Sequence, residues 1–371
     1  MMTDFIPILV IAFSVGYVFL TLFNAIGESR ERPRTLPSVL PRVSVVVCAR
    51  NEERNVRRCL ESLLLLDYPC EKLEINVVDD ESEDRTLEIF REYAARDERI
   101  RVLSTAGMSR EIPGKQRPLN LGIGRSSGEF FLITDADCTV APGWVKAHLA
   151  AFHDDVGIVG GITRIDVRGK GLYALMQSSD LIFLISIAMG CAGWGFPITI
   201  MGNNISFRRD AYEAVGGFSK MKPRIVEDMA LMNAITRQTT YRLGWAVGRH
   251  GVAVSAPESE FDTFIEQRRR YLNELWDVPL MGRFMLGYWA FMNLNFIAAL
   301  MLIPVTSLPL IVTAVAWYTG FIIVLSKNPG ATFRDILFFP MMIIFQICYS
   351  SVIIYRNIFA RKKVKWKGRE Y

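Results

Sequence analysis

Residues 77–82 read VVDDES, an apolar run that ends in a group of acids. A second run of this kind, ITDAD over residues 133–137, follows later in the chain. Short apolar runs separated by helical patterns are typical of an α/β domain with a mostly parallel sheet. A ligand of such a sheet binds beyond the carboxyl ends of its strands. We therefore expect the two acidic runs to meet in one site.

The alternation between strand and helix patterns extends from residue 42 to about residue 282, which predicts one α/β domain over residues 42–282. Predicted strands are 43–48, 74–78, 100–103 and 130–134. Predicted helices are 55–66, 84–95 and 118–124. No fixed-period repeat interrupts this pattern.

Apolar residues make up 51% of the 371 residues, and the mean hydropathy is +0.22. The excess is concentrated in uncharged stretches at 5–26, 285–326 and 336–355. At about 1.5 Å rise per residue, the outer two can each span a bilayer core of roughly 30 Å, and the middle one can span it twice. We expect one transmembrane helix at 5–26 and three apolar segments in a region over 285–355. Residues 181–207 are also uncharged, but glycines interrupt them, so helices and loops at the membrane interface are expected there. Ordinary domain core is the alternative for this segment.

The charges beside these segments predict the orientation of a multi-pass protein of the cell (inner) membrane. Four arginines follow the first segment closely: Arg30, Arg32, Arg34 and Arg42. By the positive-inside rule they place the polar domain in the cytoplasm. A basic tail over residues 356–371 conflicts with three preceding spans, which would leave it outside. Either one apolar segment is re-entrant, or charge does not decide the last helix.

Three other classes of site are disfavoured by the residues present. The six cysteines include no CxxC pair and no metal-ligand spacing, so reduced thiols are expected and zinc is not. The glycines of residues 122–128 resemble a dinucleotide fingerprint, but this segment ends a helix and precedes a strand, which is the reverse of what that motif needs. The basic tail adjoins a span and has a single aromatic, Trp366, so nucleic acid is not an expected partner.

The acids themselves indicate the kind of chemistry. Asp79 and Asp80 could simply cap the helix that follows, where acids are favoured. For Asp135 and Asp137 that alternative is weaker, because two acids one residue apart in an extended segment point to the same side and repel without a cation. A divalent ion such as Mg²⁺ or Mn²⁺, bridging a carboxylate and diphosphate oxygens, would remove that repulsion.

Further motifs follow in a fixed order along the chain. They are residues 45–53 (VVVCARNEE), 79–86 (DDESEDRT), 114–115 (GK) with Asn120, 135–137 (DAD), 202–209 (GNNISFRR) with 216–218 (GGF), 227–228 (ED) and 267–271 (QRRRY). Each is weak alone, but together they resemble the membrane-bound family 2 glycosyltransferases, which have the GT-A fold. The resemblance extends over roughly residues 43–275.

This resemblance implies a nucleotide-sugar site. Asp80 would contact the base of the nucleoside with Glu52 nearby, and Lys115 would meet the diphosphate. Asp137 would ligate the divalent metal, and Asp135 would lie beside it near the ribose or the sugar.

The resemblance also implies how the sugar is transferred. Asp228 would be the general base that takes the proton of the acceptor hydroxyl as its oxygen attacks the anomeric carbon with inversion. Gln267 and Arg270 would bind the donor, with Arg270 paired to the departing diphosphate. Tyr271 departs from the family pattern, which usually has tryptophan at this position, so contacts to the acceptor are less defined.

The sequence thus predicts a metal-dependent, inverting glycosyltransferase that moves a sugar from a nucleotide-sugar, a UDP-sugar by expectation, to a hydroxyl of a lipophilic acceptor at the cytoplasmic membrane face. The alternative is a processive polysaccharide synthase of the chitin, hyaluronan or cellulose type with a glycan acceptor, which the glutamine–arginine motif favours. A membrane adaptor with a decayed transferase domain would have lost the metal acid or the base, and both are present.

Overall fold

The computed structural model describes residues 2–109, 111–112, 114–221, 226–273, 275–304, 306–358, 365–366 and 369–370. The side chain of Tyr271 and most of the basic tail lie outside the described residues. Strands are β1 Val43–Ala49, β2 Leu73–Asp79, β3 Ile100–Ser104, β4 Phe130–Asp135, β5 Thr139–Val140, β6 Val156–Ile165, β7 Asn204–Arg208, β8 Arg242–Ala246, β9 Val252–Ser255, β10 Lys365–Trp366 and β11 Arg369–Glu370. Helices are α1 Met2–Glu28, α2 Val56–Leu64, α3 Thr86–Ala94, α4 Gln116–Gly124, α5 Trp144–Leu149, α6 Gly171–Gly193, α7 Arg209–Ala214, α8 Gly217–Lys220, α9 Glu227–Gln238, α10 Phe261–Asn273, α11 Leu280–Met301, α12 Leu308–Leu325, α13 Phe333–Leu337 and α14 Phe339–Ile358.

The chain divides into two compact units. A sheet unit comprises residues 31–166 and 199–257, and a helical unit comprises residues 1–30, 167–198 and 258–371. Residues 167–198 and 258–282 of the predicted domain 42–282 therefore group with the apolar helices. This division reflects how compactly the chain packs and not which residues act in catalysis. The functional domain boundaries at residues 42 and 282 therefore stay a prediction.

The sheet unit is built on a nine-stranded sheet with the order β3-β2-β1-β4-β7-β6-β9-β5, and β8 also pairs with β6. Strands β1 to β4 are parallel, as the apolar runs predict, and β7 enters antiparallel between β4 and β6. The first four strands and three helices agree with their predicted positions to within about two residues. Fully buried valines such as Val45 and Val47 form the core between the sheet and its helices.

Residues 79 and 80 do not cap the helix after β2. Helix α3 begins at Thr86, and the backbone N–H of Thr86 donates to Asp84 Oδ1 at 2.9 Å. The N-cap residue of α3 is Arg85, and the carboxylate that accepts from the first helical N–H belongs to Asp84. The alternative role for the acid pair is wrong.

Five helices among the described residues are long and apolar enough to cross a membrane: α1, α6, α11, α12 and α14. The sequence predicts four, and α6 is the addition. Helix α6 differs from the others because 83% of its apolar window is buried inside the protein, against 22–44% for the rest. It is also flanked by β6 and β7, which are hydrogen-bonded neighbours in one sheet.

Polar side chains hold α6 inside the helical unit. Asn24 of α1 donates to the carbonyl of Ser186 at 3.0 Å, and Asn328 donates to the Ser186 hydroxyl at 2.7 Å. Ser179 donates to Asp335 at 2.7 Å. Buried polar groups need such partners, so α6 is the interior helix of this unit.

Candidate active site

Two loops at the carboxyl ends of β1 and β2 are joined by hydrogen bonds. Asn51 and Glu81 have positive φ angles of 56° and 59°, a left-handed conformation that is costly for residues other than glycine and is often found at functional sites. The Asn51 amide N–H donates to Ser82 Oγ at 3.1 Å, and its side-chain oxygen accepts from the Glu83 N–H at 2.8 Å. These bonds fix the loops that carry Glu52 and Asp80.

Within these loops, Glu52 and Asp80 have different partners. The Glu52 N–H donates to Thr86 Oγ1 at 2.8 Å, while its carboxylate accepts from Asn55 at 3.0 Å. The buried carboxylate of Asp80 accepts from Arg117 Nη2 at 2.6 Å and from Thr105 Oγ1 at 2.8 Å. Both residues predicted to bind the nucleoside therefore lie on one pair of linked loops.

The sequence analysis did not identify Arg117. Its side chain is only 4% exposed and forms ion pairs with Asp80 and with Glu81, the latter at 3.3 Å. A buried guanidinium with two carboxylates orients both of them. The available signal was a basic residue two positions after Lys115, in the first turn of α4.

Asp135 and Asp137 follow β4, where the parallel register places Asp135 beside Cys48 of β1. Lys115 forms an ion pair with Asp135, whereas Asp137 accepts from Ser255 Oγ at 3.0 Å. The expectation that these two acids need an added cation is therefore only partly right, because the chain supplies Lys115 as one cation.

Lys115 also contacts Glu227 at 3.4 Å, so one ammonium serves two acids. Burial by itself would lower the pKa of Lys115, but Asp135 and Glu227 outweigh that effect and raise its pKa well above the ordinary value. Lys115 is thus a fixed positive charge at the ends of β4 and α9.

Asp228 lies in the first turn of helix α9 and is 7% exposed. Its Oδ1 accepts from the Met229 N–H at 2.7 Å. Gly202 approaches so closely that a Cβ there would lie 2.6 Å from Asp228 Oδ2. Burial and then repulsion by Glu227 raise the pKa of Asp228 to about 7, although Lys115 and the Met229 and Gly202 amides act in the opposite direction. A carboxylate with this pKa can accept a proton near neutral pH. We name Asp135, Glu227 and Asp228 around Lys115 the acid cluster.

Asn204, two residues after Gly202, organises the sheet behind this site. Its side chain donates to the carbonyls of Ile162 and Gly251 at 2.8 and 2.9 Å, and it accepts from Trp144 at 2.9 Å. Its oxygen also lies 2.9 Å from a ring nitrogen of buried His148, whose pKa burial lowers to about 4. The asparagine of this motif therefore holds β7 in place.

Comparison with known proteins identifies the family of this arrangement. Residues 44–216 match the family described as Glycosyl transferase family 2. This match indicates a resemblance to that family over residues 44–216. The chain is 32% identical over 232 residues to the probable glycosyltransferase YdaM of Bacillus subtilis, covering 62% of this chain and 52% of that protein. It is 27% identical over 224 residues to the β-monoglucosyldiacylglycerol synthase of Trichormus variabilis, covering 59% of this chain and 47% of the synthase.

The fold of the chain is also that of a solved structure. A mannosyltransferase from Pyrobaculum calidifontis, determined with GDP-Man and Mn²⁺, superposes with a TM-score of 0.61 at 19% identity, covering 97% of this chain and 100% of that chain. The predicted GT-A fold and the family resemblance are confirmed. The chain spans about half the length of the two relatives above.

The residues of this site fit a divalent ion only in part. Asp137 offers the hard oxygen donor that Mg²⁺ and Mn²⁺ prefer. Within the described part of the chain, however, no three His, Cys, Asp or Glu side chains group into a ready-made metal site. The donor set is therefore suited to an ion whose remaining ligands come from diphosphate oxygens and water, as magnesium often binds.

Gln267 and Arg270 belong to the helical unit, on α10. Gln267 Nε2 donates to Glu258 Oε1 at 3.2 Å, and both Gln267 and Arg270 are half-buried. The structure thus brings together Lys115, Asp135 and Asp228 in the sheet unit and carries Gln267 and Arg270 on a helix of the other unit. Their roles in binding and catalysis stay predictions.

Proposed function

We propose that this protein is a metal-dependent, inverting glycosyltransferase that moves a sugar from a nucleotide-sugar, a UDP-sugar by preference, to a hydroxyl of a lipophilic acceptor. The observation that carries the proposal is Asp228, a buried acid beside Glu227 whose pKa is raised to about 7. Such a group can take the acceptor proton at physiological pH. Its approach to Gly202 fixes the direction of the carboxylate.

In this proposal Asp228 accepts the hydroxyl proton while the acceptor oxygen forms a bond to the anomeric carbon. The bond from that carbon to the diphosphate breaks on the opposite face, which inverts the configuration. Lys115 supplies positive charge for the diphosphate, and Glu52 and Asp80 hold the nucleoside. Asp137 would hold a divalent ion, which would neutralise charge on the leaving diphosphate.

A lipophilic acceptor is supported by two observations. The relative in Trichormus variabilis is named a β-monoglucosyldiacylglycerol synthase. Apolar helices α1, α11, α12 and α14 leave many large side chains exposed, as lipid-facing helices do. We place the protein in the cell membrane as a multi-pass protein with its sheet unit in the cytoplasm. Arg30 stacks over Trp194 at 4.3 Å, a pairing typical of a membrane interface.

A processive synthase is the second candidate, because Gln267 and Arg270 match the motif of such enzymes in part. The two candidates differ in their product. Membranes containing the full chain are incubated with a panel of labelled nucleotide-sugars, and lipid-extractable label is separated from polymer. A discrete extractable species with one or a few sugars supports the proposal, while a polymer that lengthens with time supports the synthase.

The role of Asp228 is tested by Asp228→Asn. Transfer is expected to fall by about 10²- to 10⁴-fold, with nucleotide-sugar binding changed only a few-fold. Equal loss of donor binding and turnover would show that Asp228 acts on the donor instead.

A further inference from the structure

Helix α10 contains Arg268, Arg269 and Arg270 in succession, and the three side chains differ in their partners and burial. The Arg268 Nη2 donates to Asp180 Oδ2 at 2.6 Å, and the two side chains are 9% and 4% exposed. Arg269 is also buried and donates to Glu266 at 2.8 Å and to Asn357 at 2.8 Å. Arg270 is the most accessible of the three.

Asp180 lies inside α6 and accepts hydrogen bonds from α14 as well as from α10. Gln346 Nε2 donates to its Oδ1 at 2.8 Å, and the Tyr349 hydroxyl donates to the same oxygen at 2.9 Å. Together with Arg268, three donors from two helices meet on one carboxylate, which we name the Asp180 node. A buried, well-paired charge of this kind is weak evidence for stability but fixes the geometry of the groups it joins.

One turn before Asp180, Gln177 holds the chain that leads into α10. Its Nε2 donates to the Glu258 carbonyl at 2.9 Å, and its oxygen accepts from the Glu258 N–H at 3.0 Å. The Glu258 carboxylate in turn accepts from Gln267. Gln177 and Asp180 lie on one face of α6, because residues three apart share a helix face. This face therefore contacts Glu258, which precedes α10, and Arg268 in the middle of α10.

We propose that Asp180 is a positioning residue that fixes the orientation of Gln267 and Arg270 through its ion pair with Arg268. This inference rests on the proposed function, in which Gln267 and Arg270 bind the donor. Asp180 is not proposed to contact the substrate. It sets the rotation of α10, and with it the direction of the guanidinium that receives the departing diphosphate.

The test is a double-mutant cycle on the full chain in membranes. Asp180→Asn removes the carboxylate charge that Arg268 Nη2 contacts, and we expect kcat to fall about tenfold to 100-fold while KM for the donor changes less. If Asp180 acts through Arg270, Asp180→Asn will cost little further activity in an Arg270→Ala background, because coupled residues are not additive. If the losses of activity from Asp180→Asn and Arg270→Ala multiply in the double variant, the inference is wrong.

Asp335→Asn is the matched control. Asp335 is another buried acid of the helical unit, and it accepts from Ser179, next to Asp180, and from Thr332 at the start of α13. We expect Asp335→Asn to lower thermal stability but to leave kcat within a few-fold. A loss of kcat equal to that of Asp180→Asn would also count against the inference.

Arg268→Lys covers the case in which Asp180→Asn does not fold. Lysine keeps the charge but lacks the planar fork, so a several-fold loss of kcat that disappears in the Arg270→Ala background is expected. Full activity of Arg268→Lys would contradict the inference. Wild-type activity of Arg270→Ala alone would instead remove the proposed function of Arg270, so the two failures are distinguishable.

Discussion

Asp228 in the sheet unit and Asp180 in the helical unit are both buried acids, but their surroundings differ. In the sheet unit, the acid cluster sets Asp135, Glu227 and Asp228 around one ammonium, and Asp228 has a raised pKa. In the helical unit, Asp180 receives hydrogen bonds from an arginine, a glutamine and a tyrosine. The first arrangement has more acids than cations, and the second has donors on both carboxylate oxygens.

This difference distinguishes an acid that can take part in proton transfer from one that holds other side chains in position. Burial first, and repulsion by Glu227 second, raise the pKa of Asp228, so its carboxyl can exchange a proton near neutral pH. An acid that already accepts several strong hydrogen bonds is held in one geometry. Asp228 and Asp180 are both buried, so it is the partners of each carboxylate that distinguish the two acids.

The largest expected effect is that of Asp137→Asn, next to the acid cluster. We expect activity to fall by about three orders of magnitude and the response to Mg²⁺ and Mn²⁺ to weaken, because the amide is a poor ligand for a hard ion that balances diphosphate charge. Initial rates over a metal titration measure both. Near-normal turnover with an unchanged metal response would remove Asp137 from the site.

A smaller effect is expected from Gly202→Ala, which adds a methyl group 2.6 Å from Asp228 Oδ2. The carboxylate must move, and a displacement of about 1 Å can cost about 10²-fold in kcat. Gly124→Ala is the matched control, because a Cβ there meets nothing within 4 Å. Equal activity of the two variants would show that the position of Asp228 is not important.

Arg270→Ala extends the comparison to the motif that the Asp180 node supports. We expect a loss of at least roughly 2 kcal/mol in transition-state stabilisation, about 30-fold, since charge on the departing diphosphate loses a partner. Arg270→Lys should recover only part of it, because lysine lacks the bidentate fork. The ratio of kcat/KM to wild type measures the loss, and a wild-type rate for the alanine variant would exclude Arg270 from donor binding.

The pH dependence of the transferase tests the raised pKa of Asp228 directly. Only the deprotonated carboxylate is a base, so kcat/KM should fall by up to about tenfold per pH unit below pH 7 and level off above it. The residual activity of Asp228→Asn should not show this decrease at low pH. If kcat/KM of the wild type decreases only below about pH 4, Asp228 has an ordinary pKa.

The smallest expected effect is on stability. Because the folded state raises the pKa of Asp228 from 3.8 to about 7, folding favours the protonated form. The stabilisation from this group is full below about pH 4 and is lost as the pH rises through 7. Asp228→Asn should therefore gain on the order of 1–3 kcal/mol relative to wild type between pH 5 and pH 8. Melting temperatures at the two pH values measure this, and a constant difference would contradict it.

Much of the acidic site could be predicted, because the local sequence pattern shows where each parallel strand ends and which acids follow it. The register of β1 with β2 and β4 aligns Ala49 with Asp79 and Cys48 with Asp135, so acids after these strands reach one edge of the sheet. The ion pair of Lys115 with Asp135 and the closeness of Gly202 to Asp228 could not be predicted. They depend on packing between segments far apart in the sequence, which periodicity does not encode.

The helical unit was harder to predict for a different reason. Hydropathy identified α1, α11, α12 and α14, whose outer faces are apolar. It did not identify α6 as an interior helix, because Asp180 and Gln177 lie in its first turns, outside the uncharged stretch that begins at residue 181. Their partners on α10 and α14 lie about 80 to 170 residues further along the chain.

A water-soluble form of the sheet unit cannot be made by trimming the two ends of the chain. A fragment of residues 31–257 would retain α6 but lose α1, α11, α12 and α14, which pack against it. The exposed apolar helix would then promote aggregation. Joining residue 166 to residue 199 with a short polar linker is the design that the sheet allows, because β6 and β7 are already hydrogen-bonded neighbours and Gly202 is retained beside Asp228.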